Sequence, residues 1–133
     1  MTTQDPTEAT LDRIAAMTPH QLAQEYTGRA RIAAAAAADH AQKARALADC
    51  PADRDIAQSA ECYAATAEMR ARDAMQCAAF GLSDSIGPDA RRDFLHRASN
   101  HARAASLIAD AVRTMRHAIQ LAHEARMYGD ITQ

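Results

Sequence analysis

At 133 residues and a formal net charge of −2, the chain fits one domain with a modest core, and no overall field would draw it to nucleic acid or an anionic membrane. Roughly a quarter of it is Ala, with four Gly, four Pro, two Phe, three Tyr and no Trp, a profile close to that of long-helix proteins. Cys50, Cys62 and Cys77 form no Cys-x-x-Cys pair and leave one over in any disulfide scheme, so they read as reduced thiols.

Residues 1–9 read as a polar tail, whose start, Thr2-Thr3-Gln4-Asp5, lacks the apolar core of a signal peptide. No stretch approaches the roughly 20 apolar residues of a membrane span. A cytoplasmic protein with no membrane contact is the expectation. From Thr10, the helical spacing of Leu11, Ile14 and Ala15 predicts a short helix that stops before Pro19. Thr18-Pro19-His20-Gln21 then supplies a cap, a proline suited to the first helical position and the glutamine of a capping box.

The helix that follows is predicted to run to about Asp49. Along it Ala23, Thr27, Ala30, Ala34, Ala37, Ala41, Ala44 and Ala48 recur at alternating spacings of three and four, the period of one helix face looking at another. Gly28 lies beside this row, and a close backbone approach is one reason for a glycine there. Cys50-Pro51-Ala52-Asp53 breaks the chain, with Asp53 as the expected cap. A second helix is predicted from about Arg54 to Phe80, with Gly81 as its C-cap. Ala57, Ala60, Ala64, Ala67, Ala71, Ala74 and Ala78 mirror the first row about the break, so that Ala48 faces Ala57, Ala41 faces Ala64, Ala34 faces Ala71 and Ala23 faces Gly81. The short connection implies antiparallel neighbours.

After Ser83-Asp84-Ser85-Ile86-Gly87-Pro88, no strong breaker occurs before Gly129, which predicts a third helix of about 40 residues, roughly 60 Å long. Phe94, Ala98, His101, Ala105, Ile108, Val112, Met115, Ile119 and Ala122 form one apolar stripe on it. Ala104, Leu107, Ala111, Ala118, Leu121 and Ala125 broaden that stripe. Folding this helix onto the second brings Ala67 near Ala102 and Ile56 near Arg113, leaving everything after about Arg116 as an overhang. An apolar overhang calls for cover, either by a bend near Ser99-Asn100 or by a second copy. With no turn residue beyond Asn100, the second copy is preferred. The predicted fold is therefore all-α: an antiparallel, coiled-coil-like bundle of three long helices with a short N-terminal one. It occupies residues 10–129 as a single domain, with 130–133 as a C-terminal tail.

Candidate chemistry is sparse. Ferritin-like metal sites use Glu-x-x-His steps, and none of Glu25, Glu61, Glu68 or Glu124 has His three residues later; Asp93-Phe-Leu-His96 is the nearest imitation. The cysteine spacing is not that of a zinc site, so neither metal nor cofactor is expected. His40-Ala-Gln-Lys43 is similar to the His-x-x-Lys step of histidine phosphotransfer domains, with Ala44 where those domains place Gly. His123-Glu-Ala-Arg126 resembles the phosphoacceptor box of sensor kinases. Arg13/His20, Arg91/His96 and Arg116/His123 each have the four to six intervening residues of the Arg–His pair in HEPN ribonucleases, a resemblance that implies acid–base cleavage of RNA. Chance supplies about two such pairs at this Arg and His content.

No catalytic residue is assigned, and a non-enzymatic protein is the preferred expectation. The function expected is that of a small adaptor, assembly or regulatory module. It would bind another protein or itself, as a homodimer, through Ile108, Val112, Met115, Ile119, Leu121, Met127 and Tyr128. The alternative is RNA or DNA binding through Arg91, Arg92, Arg97 and Arg103 at the start of the third helix, with a HEPN-like ribonuclease or a phosphotransfer protein as minor readings.

Overall fold

The computed structural model describes residues 16–132, which form three helices, each packed against the other two: α1 (Pro19–Leu47), α2 (Pro51–Gly81) and α3 (Pro88–Thr132). The polar N-terminal tail and most of the short helix predicted from Thr10 lie outside the described residues.

α1 begins as its sequence implies. The Thr18 amide donates to Gln21 Oε1 at 2.8 Å and the Gln21 amide to Thr18 Oγ1 at 3.2 Å, which satisfies two of the amides a helix start leaves open. α2 begins earlier than predicted. Cys50 occupies the cap position without a side-chain hydrogen bond and Pro51 opens the helix; proline is tolerated there because that position needs no N–H donor. Asp53, predicted as the cap, instead lies inside the first turn and is only 5% exposed.

Gly81 is the last residue of α2, and no described glycine has a positive φ, so a left-handed cap is not what it provides. A Cβ at Gly81 would fall 3.1 Å from Leu95 Cδ2. The missing side chain lets α3 approach the end of α2. Around Gly28 a Cβ would meet nothing within 4 Å, so the close approach considered for Gly28 belongs to Gly81.

The core is mostly methyl groups, arranged in four layers. Ala23 and Ala78 sit with Leu95 and Ala98; Ala30, Ala71 and Ala74 with Ala102; Ala37, Ala64 and Ala67 with Ala105 and Val112; Ala44 and Ala57 with Ile119. Ala41 and Ala64 share a layer, Ala48 packs on the layer that holds Ala57, and Ala34 on the layer that holds Ala71. Each buried methyl contributes only about 0.8 kcal/mol. Larger side chains on α3, Leu95, Val112 and Ile119, add more burial per residue.

α3 is one helix through Ser99 and Asn100, with no return. It corrects three expectations. It continues through Gly129 to Thr132, since a glycine near a helix end costs only about 1 kcal/mol. Its buried row is Leu95, Ala98, Ala102, Ala105, Ala109, Val112 and Ile119, so Phe94, His101, Ile108 and Met115 stand at the flank of the core. Its register on α2 is also displaced: Ala102 lies with Ala71 and Ala74, and Ile119 with Ala57. The cause is the connection. Arg91 donates from Nε to the Gly81 carbonyl at 3.0 Å and from Nη2 to the Ser83 carbonyl at 3.1 Å, so the first turn of α3 stands beyond the end of α2 before Leu95 reaches Gly81. That slide draws the far end of α3 back over the bundle. Ile119, predicted on the overhang, is 0% exposed.

Candidate functional site

The three-and-four alternation of α3 does not stop at Ile119. The same period takes in Arg116 before it and His123 and Arg126 after it, a polar extension of the methyl core in which His123 and Arg126 turn toward the α1–α2 connection and Arg116 toward His40 of α1. Arg126 Nη2 lies 2.6 Å from Asp49 Oδ1 and 2.6 Å from Asp53 Oδ2. His123 Nδ1 comes within 3.3 Å of Asp49 Oδ2, without hydrogen-bond alignment. About two turns inward, Arg116 Nη1 sits 3.1 Å from His40 Nδ1, while the buried Arg116 Nε has no protein partner among the described residues. The clasp ties α3 to the connection and to the first turn of α2. Reading the sequence for apolar residues alone misses it; following the spacing regardless of residue type finds it.

The electrostatics fit a structural clasp. Desolvation pushes the Asp49 carboxyl up, but Arg126 and His123 outweigh it and hold the carboxyl below its ordinary value. The hydrogen bond to Asp53 raises Arg126. Desolvation, then the Arg116 charge, lowers His40, so the imidazole facing Arg116 favours its neutral form. Asp49, Cys50 and Asp53 place ligand atoms within 4.8 Å of one another, the one such group among the described residues. Arg126 already supplies a cation to both carboxylates.

The other resemblances fare unevenly. Lys43 of the His40-Ala-Gln-Lys43 step pairs with Asp39 at 2.9 Å, and His40, partly buried, faces Arg116. In the Arg–His pairs, Arg91 is spent on backbone carbonyls and Arg116 on His40; Arg13 lies outside the described residues. Asp93 pairs with Arg97 at 3.0 Å. Burial raises the Cys77 thiol above its ordinary value, the opposite of what a thiolate nucleophile needs.

The four arginines named for nucleic acid do not share a face. At about 100° per residue, Arg92 and Arg103 fall in one sector of α3, with Arg91 and Arg97 in two others. Arg91 is held by the α2 terminus, and Arg97 pairs with Asp93 and lies 5.8 Å from the Phe94 ring centroid.

The seven apolar residues named for an interface divide in two. Val112 and Ile119 are wholly buried inside the chain, with Ile108 and Met115 packed against the core from its edge. Leu121, Met127 and Tyr128 are exposed, as is Leu107, at 52%, 56%, 67% and 64%. The solvent-facing part of the predicted surface is therefore Leu121, Met127 and Tyr128; Leu121 belongs to the broadening row on α3, in which Leu107, Ala118 and Ala125 are also exposed and Ala104 and Ala111 are partly buried.

No protein-family model matches the chain, and neither a curated protein nor a solved structure is similar to it. Among the described residues, no helix is long and apolar enough to cross a membrane.

Proposed function

We propose that the chain is a small, non-enzymatic interaction module, an antiparallel three-helix bundle that presents the outward face of α3 to another protein chain. The observation that carries this reading is a second seam. Ala104, Leu107, Ala111, Thr114, Ala118, Leu121, Ala125 and Tyr128 repeat the three-and-four rhythm of the buried row on the opposite side of the same helix. Inside the bundle every such row is covered by another helix. This one is uncovered over most of its length, with Leu107 64% and Leu121 52% exposed and only Ala104 and Ala111 partly buried, and a largely apolar face of that kind is a contact surface.

Adaptor, assembly and regulatory roles all fit this surface, with neither cofactor nor metal required. Three unpaired thiols suit a reducing compartment such as the cytoplasm. Nucleic-acid binding through Arg91, Arg92, Arg97 and Arg103 has less support, because the intramolecular bonds of Arg91 and Arg97 compete with phosphate contacts.

A photo-crosslinking residue placed at Leu107 or Leu121 in living cells tests the surface. Discrete crosslinked protein species from both positions, absent when the residue is placed at the exposed Ser59 of α2, are expected. Equal capture from Ser59, or none from α3, rejects the interaction reading.

A further inference from the structure

The outward face of α3 carries more than apolar residues. Immediately beside its alanines stand Arg103, Asp110, His117 and Glu124, seven residues apart and all exposed, so they form one charged row along one edge of the seam. On the other edge, at the same spacing, stand Ile108, Met115 and Ala122, each partly buried. One edge is polar and the other apolar, and that asymmetry restricts what can pack there.

Resting on the interaction surface proposed above, we infer that its occupant is a second copy of this chain, with α3 antiparallel to α3 about a two-fold axis between Ala111 and Thr114. Turning one helix end for end about that point places Ala104 against the partner's Leu121, Leu107 against the partner's Ala118 and Ala111 against the partner's Thr114. Each leucine knob meets an alanine, the large-against-small alternation that lets two helices approach closely.

The same rotation, with no further adjustment, sets both edges. Antiparallel helices oppose like edges. Arg103 then meets the partner's Glu124, and Asp110 meets the partner's His117, whose imidazole can donate to the carboxylate. On the apolar edge Ile108 meets the partner's Met115. Two-fold symmetry makes each of these contacts twice. A parallel pair opposes unlike edges and would put Arg103, Asp110 and His117 against Ile108, Met115 and Ala122, leaving charges on apolar surface. Seam and edges therefore agree on one direction and one register.

Intramolecular contacts leave these groups available. Among the described residues Asp110 pairs with Arg113 alone, at 3.4 Å between exposed side chains, and Glu124 accepts from Gln120 Nε2 at 3.3 Å. The stretch from Arg103 to Glu124 is about 32 Å long at 1.5 Å per residue. A single helix pair of that length is a modest interface, so a dimer that dissociates on dilution is expected.

Charge reversal tests the register. Sedimentation of the full chain at low salt should show a concentration-dependent dimer. Arg103→Glu sets two acidic pairs across the axis and Glu124→Arg two basic ones, and each should weaken the dimer by about tenfold or more. The double variant Arg103→Glu/Glu124→Arg restores opposite charges at both sites and should recover most of the affinity, with unchanged helical content in all three. Single variants without effect, or a double variant no better than the singles, overturn the antiparallel register. A wild type that stays monomeric at high concentration overturns self-association itself, while the in-cell crosslinks from Leu107 and Leu121 decide the broader interaction reading separately.

Discussion

Replacing Ile119 by Ala distinguishes the observed register of α3 from the one its apolar stripe suggests. Ile119 is 0% exposed, in a layer with Ala44 and Ala57 and with Leu47 and Ala48 at its edge. The substitution removes three carbons at about 0.8 kcal/mol each, and it leaves a cavity. Two of the lining groups are methyls on packed helices that cannot fill it, and only the partly buried Leu47 can lean in. A cost of about 3 kcal/mol follows, within the usual range for large-to-small core changes. For a chain of this size that corresponds to about 12 °C in melting temperature. Leu121→Ala, two residues on and 52% exposed, should cost less than about 0.5 kcal/mol. Urea and thermal unfolding followed by circular dichroism, at concentrations low enough to exclude self-association, give both values. An Ile119→Ala cost below about 1 kcal/mol, or equal costs at the two positions, would refute the packing of Ile119 against α1 and α2.

Two further outcomes follow from the geometry. Gly28 lies inside α1 with open space where a Cβ would stand, so Gly28→Ala should raise stability by about 0.5–1 kcal/mol in urea unfolding. The same change at Gly81 should forfeit that gain, because Leu95 must move. For His40, held below its ordinary value of 6.5, the unfolded chain binds the proton more readily than the folded one. The associated stability is complete above pH 6.5 and declines as pH falls through 6.5 toward the folded value. Urea midpoints across that window should fall less steeply in His40→Gln than in the wild type, and parallel curves would show that His40 is not desolvated in the fold.

Local chemistry was legible where it depended on neighbours in the chain. Thr18 and Gln21 form their capping box because both partners lie within one turn, and the proline-containing breaks fall between helices. The alanine rows were legible for a related reason: a helix repeats its faces at a fixed period, so small residues at that period belong to one face whatever covers them. The outward row on α3 was readable as an extension of the apolar stripe. Its separateness was not, because the sequence does not say which of two adjacent rows is covered.

The sequence by itself determined three long helices and which residues share a face, since both follow from the geometry of a single helix. The tertiary structure decided how far one helix slides along another. That slide depends on the contact between Gly81 and Leu95 and on the bonds of Arg91 to the Gly81 and Ser83 carbonyls, which join residues eight or more apart that no periodicity relates. It moved Ile119 from the overhang into the core, brought Arg126 onto Asp49 and Asp53, and left Leu107 and Leu121 facing outward.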